Sequence, residues 1–224
     1  IAGAKPVPVP TDSANQPVLE LIENAVTDRT RAIVTISPNN PTGAVYEQES
    51  LEQINRLCSA KGIYHIHDEA YEYFVYENAR HYSPASSIES APHTVSLFSM
   101  SKAFGFASWR IGWMIIPATL FESIRKIQDT NLICPPVVSQ WAAAGALTDG
   151  RAYFQEKIAR LASVRKNVVQ GLAEISDIVK IPESNGAFYL FLKVNTELSD
   201  LELVERLIRE HGIAVIPGST FGTT

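Results

Sequence analysis

The sequence predicts an α/β fold built on a mostly parallel sheet. Short apolar runs rich in β-branched residues alternate with amphipathic helical stretches through the first part of the chain. Each run stops abruptly in polar or turn-forming residues, the pattern of strands that deliver ligand-binding loops to one edge of an open sheet. The 224 residues are 46% hydrophobic and 19% charged, which supports a buried core and argues against a disordered chain.

The elements follow in order. Residues 1–17 are proline-rich without helical period and read as an extended connector. Leu19, Ile22 and Val26 have helix spacing and predict a short helix over 18–28. Ala32 to Ser37 predicts a buried strand, ending in Pro38-Asn39-Asn40-Pro41-Thr42-Gly43, the densest turn signal in the chain. Residues 47–61 predict an amphipathic helix with Leu51, Ile54, Leu57 and Cys58 inward, stopped by Gly62. Ile63 to His67 is the second strand, with Asp68-Glu69 at its C-terminal end. Thr94 to Phe98 is the third, followed by Ser99-Met100-Ser101-Lys102, and Ile111 to Ile116 is the fourth, closed by Pro117. Helices are predicted over 118–130, 136–148 and 151–175. Val179 to Ile181 and Ala187 to Val194 read as a strand pair around a turn at Ser184-Asn185-Gly186. A helix over 199–211 and a strand over 213–216 complete a β-β-α-β order that suggests a second, smaller α+β unit.

Composition excludes several function classes. The net charge of −5 gives no basis for binding nucleic acid or an anionic membrane surface. No apolar run reaches the length of a membrane span. Cys58 and Cys134 form neither a C-x-x-C nor a Cys/His cluster, so no structural zinc is expected, and the thiols suit a reducing, cytoplasmic setting. Proline at the centre of Asn40-Pro41-Thr42 rules out a glycosylation sequon. His65 and His67 alternate along one strand and share a face, but no third ligand accompanies them; they read as core histidines, and no metal site is expected. The start at Ile1 and the loop-like residues 217–222 suggest a fragment of a longer protein.

The chemistry collects at the strand ends. The first ends at Asn39-Asn40-Pro41, the second at Asp68 and Tyr71, the third at Ser99, Ser101 and Lys102, with Arg110 shortly after. An amide, a carboxylate, a phenol, hydroxyls, an amine and a guanidinium therefore converge. Neither G-x-G-x-x-G nor a Walker motif is present, which argues against a nucleotide site. Alone, Lys102 would read as a surface amine, Asp68 as a helix cap and Asn40-Pro41 as a tight turn. Together they suit a phosphorylated aromatic aldehyde: a lysine to form a Schiff base, an acid for a pyridine nitrogen, and hydroxyl and cationic groups for a phosphate.

Three motifs then carry a resemblance. Ser37 to Gly43, S-P-N-N-P-T-G, is similar to the N-P-x-N-P-T-G signature of the class I/II aminotransferases, with Ser in place of the first Asn. Asp68-Glu69-Ala70-Tyr71 resembles their D-E-x-Y, and Ser99-Met100-Ser101-Lys102 with Arg110-Ile111-Gly112-Trp113 resembles their S-x-S-K and R-x-G-W. The resemblance implies a three-layer α/β/α major domain over 1–165, incomplete at its N-terminus, and part of a small α+β domain over 166–224 that begins within the long helix. It implies pyridoxal phosphate as cofactor, amino acid and 2-oxo acid as substrates, and a homodimer.

The implied roles fall on single residues. Lys102 carries the cofactor as a Schiff base and is the general base once freed. Asp68 pairs with the pyridine nitrogen, Asn40 and Tyr71 hydrogen-bond the ring oxygen, and Ser99, Ser101 and Arg110 hold the phosphate. Pro41 holds the turn so that Asn40 faces the ring. Trp109, with Phe104 and Phe106 nearby, hints at aromatic or medium-sized apolar substrates. Ser139 and Gln140 resemble positions near the family's dimer interface. The family's substrate-carboxylate arginine and ring-stacking aromatic find no counterpart in these residues. The same cofactor side of the site would also serve a pyridoxal-phosphate lyase or decarboxylase, or an aminotransferase-like sensing domain of a transcription regulator.

Overall fold

A computed structural model describes residues 3–222 of the chain. Four strands form one sheet in the order β1 (Ala32–Ile36), β2 (Tyr64–Asp68), β3 (Thr94–Ser99), β4 (Gly112–Ile115). The first three are parallel and β4 runs antiparallel to β3, so the sheet is mostly parallel as expected. The C-terminal ends of β1, β2 and β3 and the start of β4 therefore lie along one edge.

Two helices precede and link these strands. Helix α1 (Leu19–Ala25) buries Ile22 against α2 (Gln48–Lys61), which carries the chain from β1 to β2. Gly62 ends α2 at φ 63°, and its N–H bonds back to the carbonyls of Cys58 and Ser59; a left-handed residue here is cheapest as glycine. α2 packs Ile54 and Cys58 on the face of the sheet that carries Ile33. That face is unusually polar. Strand register aligns Thr35 with His67, His65 with Thr94 and His67 with Ser96, and all of these side chains are buried. The expected reading of His65 and His67 as core histidines is met. The opposite face is less covered by these residues: Val34 of β1 is 63% exposed.

The other large core lies past the strand ends. Helices α3 (Phe121–Asn131), α4 (Val137–Asp149) and α5 (Ala152–Ala173) follow β4. α4 and α5 contribute Ala143, Ala146 and Phe154 to a cluster with Tyr71, Phe74, Met100, Ala103 and Phe104. The segments that follow β2 and β3 are thus pinned by aromatic packing rather than left as free loops.

The last part of the chain departs from expectation. The strand pair shrinks to β5 (Val179–Lys180) and β6 (Lys193–Val194), and residues 213–216 form no strand. Ile213, Val215 and Ile216 are exposed and have no ladder to join, and a lone apolar run does not hold a strand by itself. Ser184-Asn185-Gly186 is also more than a hairpin turn: Gly186 bridges to Val75 of the large core. Helix α6 (Asp200–His211) forms as predicted. Its start is fixed by a reciprocal cap, in which the Glu202 N–H donates to Ser199 Oγ and the Ser199 N–H donates to the Glu202 carboxylate.

Candidate active site

The turn after β1 is closed internally by Asn39. Its side-chain oxygen accepts from the N–H and hydroxyl of Thr42, at 3.2 and 2.8 Å. Asn40, next in sequence, is exposed and takes no part in this closure. The Ser37-Pro38 and Asn40-Pro41 bonds are both cis. Ser37, where the family signature has Asn, is buried and accepts the Tyr46 N–H at 2.9 Å, so its hydroxyl braces the turn from beneath.

Asp68 sits where the three parallel strands end together. Its carbonyl accepts the Ser37 N–H at 3.1 Å, and the Glu69 N–H donates to the Leu97 carbonyl at 2.8 Å. One Asp68 oxygen, Oδ1, accepts the Ala70 N–H at 2.9 Å. Glu69 turns inward and is fully buried, accepting from the Ser83 hydroxyl and pairing with His81 Nε2, both at 2.8 Å. This buried anchor fixes the chain between Asp68 and Tyr71. The sequence offered only the adjacency of two acids as a signal for it.

Tyr71 is buried and lies beneath the Lys102 amine, which stands 5.2 Å from its ring centre. Burial raises the Tyr71 pKa; the bond from Tyr189 lowers it, the Asp68 charge raises it and Asn40 lowers it. Tyr71 thus feels Asp68, Asn40 and Lys102 at once, which brings four of the sequence-predicted residues to one place. Among the described residues the Lys102 amine joins no salt bridge.

Lys102 is presented by a tight return of the chain. Met100, fully buried, donates its N–H to the Ile111 carbonyl at 3.3 Å and accepts the Phe106 N–H at 3.0 Å. The Ser101 N–H donates to Ser99 Oγ at 3.1 Å, tying two predicted phosphate ligands together. Ser99 pairs with Gly112, so Arg110, two residues earlier, stands at the same edge in a left-handed conformation (φ 51°). A Cβ at Gly112 would run into the Phe98 carbonyl, so glycine permits this close pairing. The Arg110 guanidinium is exposed and donates to the Ala107 carbonyl at 3.0 Å; among the described residues no hydrogen bond or salt bridge joins it to the Lys102–Tyr71 pair.

One sequence expectation changes. Phe104 is 1% exposed and packs on Tyr73 and Phe154, so it is a core residue and not a substrate wall. Trp109 is partly exposed and stacks on Phe106. Ser139 is buried, and Gln140 is exposed and donates to the Pro135 carbonyl at 2.8 Å.

One element was missed. Tyr189, in the run Gly186-Ala187-Phe188-Tyr189, brings its hydroxyl to 2.7 Å from that of Tyr71. The run reads as a strand because it is small and aromatic, and that period hides its attachment to the site. Gly186 donates to the Gly43 carbonyl at 2.7 Å, Ala187 donates to the Phe74 carbonyl at 2.9 Å, and the Tyr76 hydroxyl donates to the Ala187 carbonyl at 2.7 Å. The run is therefore stitched to both the Asn40 turn and the Tyr71 segment.

An amine beside a buried phenol, with a carboxylate and an amide at the strand ends and two hydroxyls on the same edge, is a donor set chemically suited to a carbonyl compound bearing an anionic group. Comparison with known proteins agrees with this class. The profile of the aminotransferase class I and II family matches residues 1–224. Aromatic-amino-acid aminotransferase 2 of Thermococcus litoralis is 37% identical over 99% of this chain, and aspartate aminotransferase of Pyrococcus abyssi is 36% identical over 99%. The structure of an aromatic aminotransferase from Pyrococcus horikoshii superposes with a TM-score of 0.93 at 36% identity, covering 99% of this chain and 60% of that one. The chain belongs to the class I and II aminotransferase family. It spans about 58% of the length of the two curated relatives.

Pyridoxal phosphate is the cofactor of this family, and the donor set fits it. The Lys102 amine is unpaired among the described residues and faces an aromatic phenol, Asp68 keeps one oxygen outside its local bond, and Ser99, Ser101 and Arg110 share the neighbouring edge.

Proposed function

We propose that the full-length protein transfers an α-amino group between an amino acid and a 2-oxo acid, with Lys102 anchoring pyridoxal phosphate. The bound cofactor supplies an aldehyde that captures amines and a ring that accepts electron density from the substrate's α-carbon. Lys102 would hold the cofactor through its amine, and that amine, when free, would carry the proton at the substrate's α-carbon. Asp68 holds a proton on the pyridine nitrogen by charge pairing. Asn40 and Tyr71 donate to the ring oxygen, and Ser99, Ser101 and Arg110 bind the phosphate, Arg110 through its charge. The observation that carries this reading is the convergence on Tyr71 of the Lys102 amine, Asp68 and Asn40.

The test uses the full-length protein. Its visible cofactor band should be bleached by an amino donor and restored by a 2-oxo acid. Lys102→Ala should lose that band even with cofactor bound; a band that persists would refute the lysine's role. Release of CO₂ or of a fragment, without the bleach-and-restore cycle, would instead identify a lyase.

Coarser features complete the proposal. Residues 1–165 form the cofactor-binding domain and 166–224 open the small domain, the boundary falling inside the unbroken helix α5. We further propose that the full-length protein is a homodimer of the cytoplasm; among the described residues no helix is long and apolar enough to cross a membrane.

A further inference from the structure

The Tyr71–Tyr189 contact has a direction that proton counting can assign. Each phenol carries a single O–H, and the two oxygens lie 2.7 Å apart, so one hydroxyl donates and the other accepts. A Tyr71 that gives its proton to Tyr189 has none left for a ligand. A Tyr71 that accepts from Tyr189 keeps its own proton to donate elsewhere.

The surroundings favour Tyr189 as donor. Its pKa is pushed up to about 12, by burial first and then by the bond with Tyr71, while the Lys102 charge opposes the shift. Among the described residues Tyr71 is the one hydrogen-bond partner of the Tyr189 hydroxyl, so donation to Tyr71 places the Tyr189 proton and leaves the Tyr71 proton free for a ligand. The groups facing the pair are Asp68 and Asn40 from the β2 and β1 ends and Lys102 from the loop after β3. The Tyr71 and Tyr189 rings meet edge to face, 5.6 Å apart at 78°, which leaves little freedom for either hydroxyl to swing away.

Tyr189 is also held from behind. Its carbonyl accepts the Ser184 hydroxyl at 2.9 Å, and a Cβ at Gly43 would come within 2.9 Å of that same carbonyl. The hydroxyl thus enters the site on a backbone registered against the turn that carries Asn40.

We propose that Tyr189 is a positioning residue whose hydroxyl donates to the Tyr71 oxygen, so that the single Tyr71 proton is directed at the cofactor's ring oxygen. The inference rests on the proposed function, because it needs a cofactor oxygen for Tyr71 to address. Donation into Tyr71 polarises its O–H and makes it the stronger donor.

The experiment follows the visible absorption band of the full-length holoenzyme against pH. A donor at the ring oxygen stabilises the form that has lost its proton at the lysine linkage and so lowers the midpoint. Tyr189→Phe should raise the midpoint by about half a pH unit or more, the scale of one hydrogen bond. Site-specific 3-fluorotyrosine at position 189 gives a more acidic phenol of nearly the same shape and should lower it. Opposite signs from these two changes are not what a purely structural side chain gives. The effect must also pass through Tyr71: in a Tyr71→Phe background, Tyr189→Phe should add no further shift. An unmoved midpoint in both altered proteins, or an equal shift with Tyr71 already removed, overturns the proposal while leaving the cofactor assignment intact. A protein in which the band is insensitive to Lys102→Ala overturns the underlying reading and this inference with it.

Discussion

Gly43 shows how tightly single residues are specified around the site. It sits at φ 71°, and a Cβ there would meet the Ser184 hydroxyl, the Gly186 carbonyl and the Tyr189 carbonyl. Left-handed strain and backbone collision act together, so Gly43→Ala should destabilise the protein by roughly 2–4 kcal/mol. Denaturant unfolding measures this, and a loss below about 0.5 kcal/mol would show that the turn yields instead of resisting. Cys58 illustrates the opposite case, a reactive group made inert. Burial pushes its thiol up to about 12, only partly offset by the bond with the Ile33 backbone. The thiolate is the reactive form, so Cys58 should remain unmodified by iodoacetamide at pH 8 in the folded protein and react only on unfolding. Mass spectrometry of the Cys58 peptide decides this, and prompt labelling in the native state would contradict the buried placement. At this scale chemistry and spacing together single out Lys102, Asp68, Asn40 and Tyr71, and the fold brings these four side chains to one place. Tyr189 was not legible, because one tyrosine in an apolar run is indistinguishable from core packing until the chain is folded.

Between α2 and the sheet, an element interface that is ordinarily apolar contains a hydrogen-bonded string. Asn55 Nδ2 donates to His65 Nδ1 at 3.1 Å, which leaves the proton of a neutral His65 on Nε2, facing Thr35 Oγ1 at 2.8 Å. Thr35 can then donate to His67 Nδ1, at 2.6 Å. The string works only with neutral imidazoles. Burial, and then the nearby His93, lower the His65 pKa from 6.5 to about 4, and burial places His67 well below its ordinary value. The unfolded chain therefore takes up protons before the folded one does. Stability from His65 is complete above pH 6.5 and is lost as pH falls through about 4, amounting to roughly 3 kcal/mol at the acid end. Unfolding free energies measured from pH 7 to pH 4 should fall for the native sequence and fall less steeply for His65→Asn; identical slopes would remove His65 from the account. The strand alternation of His65 and His67 disclosed their shared face, and the missing third ligand argued for a core role. Their partners were not legible, since Thr35 and Asn55 come from other elements and only strand register brings them together.

At the scale of the whole molecule, the early α/β half was readable because hydrophobic period and turn residues agree with the final topology. The last third was less so. Its expected strands shortened because residues 184–189 spend their backbone hydrogen bonds on the first half instead of on each other. Arg165 of α5 holds this seam. Its guanidinium donates to the Ser184 carbonyl at 3.0 and 2.6 Å and to Asn185 Oδ1 at 3.1 Å, and it lies over the Tyr76 ring at 5.3 Å. It also pairs with Glu77 at 2.9 Å, but Glu77 is 64% exposed, so that ion pair contributes little. The two partners should therefore separate cleanly. Arg165→Met keeps the aliphatic stem yet leaves the Ser184 carbonyl without its charged donor, and should cost about 2–3 kcal/mol. Glu77→Gln should cost less than about 1 kcal/mol. Because the seam carries Tyr189 to Tyr71, the Arg165 variant of the full-length protein should also hold its cofactor more weakly, by several fold, whereas the Glu77 variant should not. Equilibrium dialysis of the cofactor alongside thermal unfolding distinguishes the cases. Equal losses in both variants would mean that the exposed ion pair, and not the carbonyl clasp, joins the end of α5 to the site. Unchanged cofactor affinity in Arg165→Met would mean that the loops around Tyr71 keep their shape without the seam.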